Sequence, residues 1–165
     1  MEITASEKEI RLKLRSRRYE VEALLFGLDD GAGFSEVLGC DELEPEVMEI
    51  NVLAHSRISN GRFEIFYEET EVTGMEGSTT SISFSLEESE MVSMVREGGV
   101  STALVFEQGK RHHCVYNTPY MPFEICVHTM KVENRLLDAG TLELDYVIEI
   151  RGAKAERTKF SMQIL

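Results

Sequence analysis

The sequence has few cysteines, an excess of acidic over basic residues and no long apolar run. Its three cysteines are an odd number and too few for a disulfide framework. Seventeen lysines and arginines face 30 aspartates and glutamates, which gives a formal net charge of −13 at pH 7. Because nucleic acids and membrane surfaces are densely negative, this charge argues against either as a main partner. No apolar stretch approaches the roughly 20 residues that span a bilayer.

The N-terminal segment argues against a signal peptide, and the absence of the usual catalytic motifs argues against the common enzyme classes. The first ten residues, MEITASEKEI, contain three glutamates and lack the apolar core of a signal peptide. No phosphate-binding loop, dinucleotide-binding glycine motif, nucleophile elbow or zinc-protease motif occurs. We therefore predict a cytoplasmic protein that is not an enzyme and has no cofactor. The sequence identifies no partner, and a homodimer stays open as an alternative.

Apolar and polar residues alternate over most of the chain, which is typical of β-strands. The clearest example is TLELDYVIEI at 141–150, where every second residue is apolar. The sequence Ser59-Asn60-Gly61 marks a hairpin turn. About eight to ten strands follow one another through short connections without a βαβ rhythm, so we predict an all-β fold. A sheet of that many strands, each apolar on one side, buries its apolar face by closing into an antiparallel barrel.

One segment departs from the alternation. Val21, Leu24, Leu25 and Leu28 have helical spacing, and the glycines at 31–33 would end such a helix. We therefore predict a short helical insertion at residues 17–46, between the first two strands. The 165 residues are predicted to form one barrel domain, residues 1–165, that includes this insertion.

The stretch HHCVYNTPYMPFEICVH at 112–128 has cysteines and histidines on both sides of a turn. Pairing Cys114 with Cys126 and His112 with His128 would place four soft ligands on one face of a hairpin, which is an alternative zinc site. Opposed Cβ atoms about 5 Å apart give a flat rectangle rather than a tetrahedron. The alternation around Ile125 also turns Cys126 and His128 toward solvent. We therefore favour the interpretation that these cysteines and histidines are ordinary strand residues and that they bind no metal.

The other interpretation of this stretch is a catalytic pair in which a cysteine is the nucleophile and a histidine activates it. Such a pair needs a thiol in electropositive surroundings that lower its pKa. The residues around Cys114 and Cys126, and those beside Cys40, are acidic or neutral, which opposes that role.

Arg96 is the charged residue that the pattern singles out. It shares the apolar parity of Val92 and Met94, so its guanidinium either lies at the barrel rim or points inward and needs partners. We favour a structural network that closes one end of the barrel. The alternative is a site for a carboxylate or phosphate, and the predicted ligand-binding set is Arg96, Tyr116, Tyr120, Glu68, Glu69 and Thr80.

The order of several motifs resembles the YwiB-like family of uncharacterised bacterial proteins. The motifs are ISNGRFEIFYEETEVTGMEGSTTSISF, VSMVREGGVSTALVFEQGKR, VYNTPYMPFEICVHT and GTLELDYVIEIRG, and the resemblance spans roughly residues 48–165 plus the first strand. It implies a calycin-like, that is lipocalin-like, antiparallel barrel, and it implies no activity, substrate or cofactor. Family positions recur here at Tyr67–Thr70, Gly74, Thr80, Arg96, Gly98, Phe106, Gly109, Tyr116, Thr118–Tyr120, Thr129 and Tyr146.

Two hypotheses about the function follow, and they assign the protein to different functional classes. The first is a calycin-like barrel that binds a small, partly apolar or anionic ligand, with Arg96 near its polar end. The second is a structural or interaction protein whose barrel is packed solid. An eight-stranded barrel can be filled by side chains or can hold one small ligand. The side chains predicted to fill it are Phe63, Phe84, Phe106, Tyr116, Phe123 and Tyr146.

Overall fold

A computed structural model describes residues 6–21, 45–73, 76–99, 101–150 and 154–165. In these ranges the chain forms ten β-strands and a single-turn 3₁₀ helix at Glu71–Thr73. No helix among the described residues is long and apolar enough to cross a bilayer. The strands are β1 Glu7–Val21, β2 Glu46–Ser59, β3 Arg62–Glu68, β4 Thr79–Ser85, β5 Glu88–Glu97, β6 Ser101–Glu107, β7 Arg111–Asn117, β8 Pro122–Arg135, β9 Thr141–Ile150 and β10 Lys154–Ile164.

Each strand pairs antiparallel with the next one along the chain, and the first strand also pairs with the last. Leu12 of β1 lies opposite Val52 of β2 on one side and Ile164 of β10 on the other. The sheet therefore has no free edge strand, which removes the main route to strand-to-strand aggregation. The predicted closed antiparallel barrel of eight to ten strands is confirmed.

The predicted helical insertion at 17–46 is not supported, and its bounds are wrong at both ends. β1 continues to Val21, where it pairs with Ala155, and β2 begins at Glu46. Residues 17–21 are strand because β10 offers them a continuous backbone ladder, and tertiary pairing overrides a weak helical spacing. The rest of the predicted insertion, residues 22–44, lies outside the described residues.

Alternate residues of the strands fill the barrel interior. Phe63 lies 5.2 Å from Phe84 between ring centroids, and Phe106 lies 4.5 Å from Tyr146. Burying each large apolar side chain stabilises the fold by about 1.5–3 kcal/mol. Tyr116 is only partly buried against this core. The side chain of Phe123 is outside the described part of the structure. Most of the predicted bulky inner set therefore occupies the interior, which is largely packed.

The barrel has two ends that differ in their connections. At one end, the hairpin between β2 and β3 turns through Asn60 and Gly61, whose φ angles of 52° and 73° fit a type I′ turn. The hairpin predicted there is confirmed. At the other end the odd-numbered strands finish and the even-numbered strands begin. We call this second end the polar end.

Candidate functional site

A row of inward-facing polar side chains crosses neighbouring strands at the polar end. Tyr67 of β3 lies opposite Thr80 of β4, and Thr80 lies opposite Arg96 of β5. Residues directly opposite on paired strands direct their side chains to the same face, with Cβ atoms about 5 Å apart. The strand register alone therefore brings Tyr67, Thr80 and Arg96 together inside the barrel.

Glu69 completes this row as a buried carboxylate. Its Oε1 accepts a hydrogen bond from the Thr80 hydroxyl at 2.6 Å and one from Arg96 Nη2 at 3.4 Å. Arg96 Nε also donates to the Thr80 hydroxyl oxygen at 3.2 Å. The Glu69 side chain is 2% exposed and that of Arg96 is 20% exposed. A buried carboxylate is tolerated only when it is paired and hydrogen-bonded in this way.

The connection from β3 to β4 holds Glu69 in place. The Glu69 backbone N–H donates to the Ser78 carbonyl at 2.8 Å. Gly98, just after β5, packs against the same serine, because a Cβ at Gly98 would lie 2.2 Å from Ser78 Oγ and 2.9 Å from Ser78 Cα. A side chain at position 98 would therefore push this connection away from the end of β5.

A cavity of about 50 Å³ lies next to the buried ion pair. One water needs about 10–15 Å³ of such space, so the cavity has room for a few waters or one small polar group. Apolar side chains, among them Leu14 and Met94, line part of the wall. The polar part of the wall comes from Ser16, Arg18, Tyr67, Glu69, Arg96 and Tyr146, with Thr73 and Thr158 beside them. We call this space the polar-end pocket.

Both tyrosines of the pocket are neutral. Burial, and next the Glu69 carboxylate, raise the pKa of Tyr67 well above its usual value. Burial also raises the pKa of Tyr146, although Arg18 and a hydrogen bond with Thr158 oppose the shift. Each tyrosine therefore keeps its hydroxyl proton at any physiological pH and can donate it in a hydrogen bond.

Ser16 presents an unpaired group to the pocket. The residue is 4% exposed, and its hydroxyl oxygen has no hydrogen-bond partner among the described residues. Buried side-chain polar groups are nearly always hydrogen-bonded, so an orphan hydroxyl facing a cavity points to a missing partner.

The residues predicted around Arg96 divide into two groups. Glu69, Thr80 and Arg96 lie in one hydrogen-bonded cluster. Glu68 is exposed at the end of β3. Neither of the two predicted tyrosines lines the pocket: Tyr116 packs partly against the core, and Tyr120 is 95% exposed on the β7–β8 turn.

Six polar lining residues were missed as members of a site. They are Ser16, Arg18, Tyr67, Thr73, Tyr146 and Thr158. Tyr67 had an available signal, because it shares the inward parity of Phe63 and Ile65 in β3. Ser16, Arg18 and Tyr146 come from β1 and β9, and only the closed barrel brings those strands near β3 and β5.

The predicted pairing of cysteines and histidines in β7 and β8 is wrong by one residue. Cys114 lies opposite Ile125, and Cys126 lies opposite His113. Because side chains alternate between the two faces, Cys114 packs toward the core and Cys126 lies on the other face. The alternative zinc rectangle of His112, Cys114, Cys126 and His128 therefore does not form. Within the described ranges, no cluster of three or more potential metal ligands was found.

His128 is buried, whereas the alternation predicted it to face solvent. Its Nδ1 accepts a hydrogen bond from Arg111 Nε at 3.0 Å. Burial, with the positive charge of Arg111 next in size, lowers the pKa of His128 to about 4. A neutral imidazole fits this role, since a protonated ring has no acceptor nitrogen.

The thiols of β7 and β8 are not activated. Burial raises the pKa of Cys114 and of Cys126 above the usual value for a thiol. A nucleophilic cysteine needs the opposite shift. Cys40 lies outside the described residues.

Comparison with known proteins places this barrel in a family. The chain belongs to the family described as Domain of unknown function (DUF1934), whose model matches residues 40–162. The fold is similar to the crystal structure of the ywiB protein from Bacillus subtilis, with a TM-score of 0.61 and 15% sequence identity. That alignment covers 96% of this chain and 95% of the other. The YwiB-like resemblance predicted from the motifs is therefore confirmed. No curated protein matches the chain in sequence.

Proposed function

We propose that this protein is a small-ligand-binding barrel whose polar-end pocket takes the polar end of the ligand. The observation that carries the proposal is the buried Ser16 hydroxyl, which has no hydrogen-bond partner within the described ranges and lines a preformed cavity beside Arg96. A concave site with a few convergent polar groups is the usual form of a small-molecule site. The acidic composition and the free thiols of Cys114 and Cys126 support a cytoplasmic location.

The size of the pocket limits what enters it. About 50 Å³ accommodates a head group but not the body of a lipocalin-type ligand. Arg18 lines the pocket and its side chain is 39% exposed, so the pocket reaches solvent at the polar end. The remainder of a larger ligand would lie outside the barrel, past Arg18.

Binding fits the geometry better than catalysis. The Glu69 carboxylate accepts two hydrogen bonds, from Thr80 and Arg96, so it is not poised to remove a proton. The two tyrosines are neutral at physiological pH, which makes them hydrogen-bond donors rather than bases. These residues can position a ligand without activating it.

The test is retention of a small molecule by the purified protein. Native mass spectrometry followed by analysis of the denatured eluate should find a bound compound. Ser16→Leu should fill the pocket and abolish retention while the circular dichroism spectrum stays that of a β protein. Ser93→Leu is a matched control, because Ser93 lies on the outer face of β5, the strand that carries Arg96.

The second candidate is a structural or interaction protein with a packed barrel and no ligand. The filled interior favours it, since the aromatic side chains of β3, β4, β6 and β9 occupy the centre. If the protein retains no compound and Ser16→Leu raises the melting temperature, the pocket is a packing defect and this second reading replaces the first.

A further inference from the structure

We infer that the group bound in the polar-end pocket is an oxyanion, a carboxylate or a phosphate, held between Arg18 and Arg96. This inference rests on the proposed function and specifies the chemistry of its ligand. It also adds Arg18 as a residue that contacts the ligand.

The pocket has more donors than acceptors. A guanidinium has five N–H groups, and Arg96 uses only Nε and one N–H of Nη2 within the described part of the chain. The Ser16 hydroxyl has no partner there. Tyr67 and Tyr146 are protonated, and their hydroxyls are already hydrogen-bonded with Thr80 and Thr158, so the unused donors are those of Ser16 and Arg96. Unused donors that converge on one space are matched by a group rich in acceptors.

The charged residues that line the space are mostly positive. Two guanidiniums, Arg18 and Arg96, and one carboxylate, Glu69, line the pocket, so its lining has a formal charge of +1. This positive site lies in a chain of net charge −13. The carboxylate is already engaged by Thr80 and Arg96. A cationic ligand would meet two arginines, whereas an anion would meet their unused N–H groups.

Tyr146 shows that the two guanidiniums act on a common space. Burial raises the pKa of Tyr146, and the charges of both Arg18 and Arg96 oppose that shift. The Tyr146 hydroxyl is therefore within electrostatic reach of both arginines. Among the described residues the ion-pair partner of Arg18 is a weak one, since the Arg18 Nε lies 3.8 Å from Glu156, which is 45% exposed. Paired arginines with unused donors are the usual means of recognising carboxylates and phosphates.

The experiment uses the full chain labelled with nitrogen-15 and follows amide and arginine Nε–Hε signals by NMR. Sodium acetate and sodium phosphate are titrated at constant ionic strength, with acetamide as the neutral analogue of acetate. We expect acetate or phosphate to shift the signals of Ser16, Arg18 and Arg96 in a saturable way, and acetamide not to do so. Arg18→Gln should weaken anion binding at least tenfold.

The matched control is Arg15→Gln. Arg15 lies on the same strand as Arg18 but on its exposed outer face, where it lies 3.9 Å from Glu49. The Arg15→Gln variant should leave anion binding unchanged. Equal losses in Arg15→Gln and Arg18→Gln, saturable binding of acetamide, or no saturable shift with either anion would each overturn the inference.

Failure of the inference and failure of the proposed function give different results. If the purified protein retains a small molecule that carries no oxyanion, and neither anion binds, the inference is wrong and the proposed function stands. If no molecule is retained and Ser16→Leu raises the melting temperature, the proposed function is wrong, and the inference about its ligand fails with it.

Discussion

Glu69 and Arg96 lie 27 residues apart in the chain and form an ion pair whose carboxylate is almost completely removed from solvent. The pair lies at the polar end of a mainly apolar interior, where the carboxylate depends on Arg96 and Thr80 for its hydrogen bonds. Replacing a whole buried ion pair with apolar groups is often neutral, whereas removing one partner strands the other.

Arg96→Met should lower the free energy of unfolding by about 2–4 kcal/mol, because it leaves the buried Glu69 carboxylate without its cation. Adding Glu69→Gln to Arg96→Met should recover part of that loss. Denaturant unfolding of the single and double variants measures both effects. Additive losses would show that the two residues do not interact energetically.

Lys13→Met is the control for this variant. Lys13 and Glu49 also form an ion pair across two strands, at 3.2 Å, but their side chains are 44% and 47% exposed. An exposed pair contributes at most about 1 kcal/mol, so Lys13→Met should be close to neutral. A loss equal to that of Arg96→Met would mean that burial does not set the cost.

Thr80→Val should destabilise the barrel more than Thr80→Ser. Valine has the shape of threonine but removes the hydroxyl that donates to Glu69 at 2.6 Å and accepts from Arg96 at 3.2 Å. Leaving buried partners unsatisfied costs about 1–3 kcal/mol. Serine keeps the hydroxyl and loses one methyl group. Thermal and denaturant unfolding compare the two, and a larger loss for serine would contradict the hydrogen-bond argument.

Gly98→Ala should be destabilising by about 1–3 kcal/mol, since the new methyl group overlaps Ser78. Gly99→Ala is a control at the adjacent position, where a Cβ would meet nothing within 4 Å. It should change stability by no more than about 0.5 kcal/mol. Equal unfolding midpoints for the two variants would show that the β3–β4 connection moves aside without cost.

The stability of the protein should fall below pH 6.5 partly through His128. Its folded-state pKa of about 4 lies below the usual value of 6.5, so the unfolded chain takes up a proton first as the pH falls. The free energy of unfolding therefore decreases between about pH 6.5 and 4, by up to about 3 kcal/mol from this group. Stability measured at pH 7 and pH 4.5 should fall less in His128→Gln than in the unmodified protein.

Carboxylates also titrate over this interval, so a second histidine variant is needed. His55→Gln changes a half-buried histidine that stacks on Phe66 outside the barrel and lies 3.2 Å from Glu7. The loss of stability on acidification should be smaller in His128→Gln than in His55→Gln. If His128→Gln behaves in the same way as His55→Gln, the proton uptake occurs elsewhere.

Alternation predicted the strands well because each strand has one buried and one exposed face. The TLELDYVIEI segment is β9 at Thr141–Ile150, and the parity of Val92 and Met94 correctly turned Arg96 inward. Glu69 follows β3, yet it keeps the buried parity of Phe63, Ile65 and Tyr67, whereas Glu68 is exposed. The alternation could therefore have chosen Glu69 over Glu68, although both were predicted.

The alternation of apolar and polar residues could not predict the register of paired strands or the closure of the sheet. The four residues between Asn117 and Pro122 set the β7–β8 register, and an error of one residue moved Cys126 to the other face from Cys114. The pocket also combines β1, β2, β3, β5, β9 and β10, which meet only because the sheet closes. Tyr116 was therefore predicted at a site that Tyr67 and Tyr146 occupy.

Closure between the first and last strands has a consequence for synthesis. The hairpins from β2 to β9 can each form as they leave the ribosome, but β1 cannot complete its ladder until β10 has been made. Until then β1 has one open edge, and such an edge invites pairing with another chain. Its outward side chains include Lys13, Arg15 and Arg17. Charged side chains on an open edge strand, lysine above all, disfavour pairing with another chain, so this row guards β1 during the interval in which the barrel is still an open sheet.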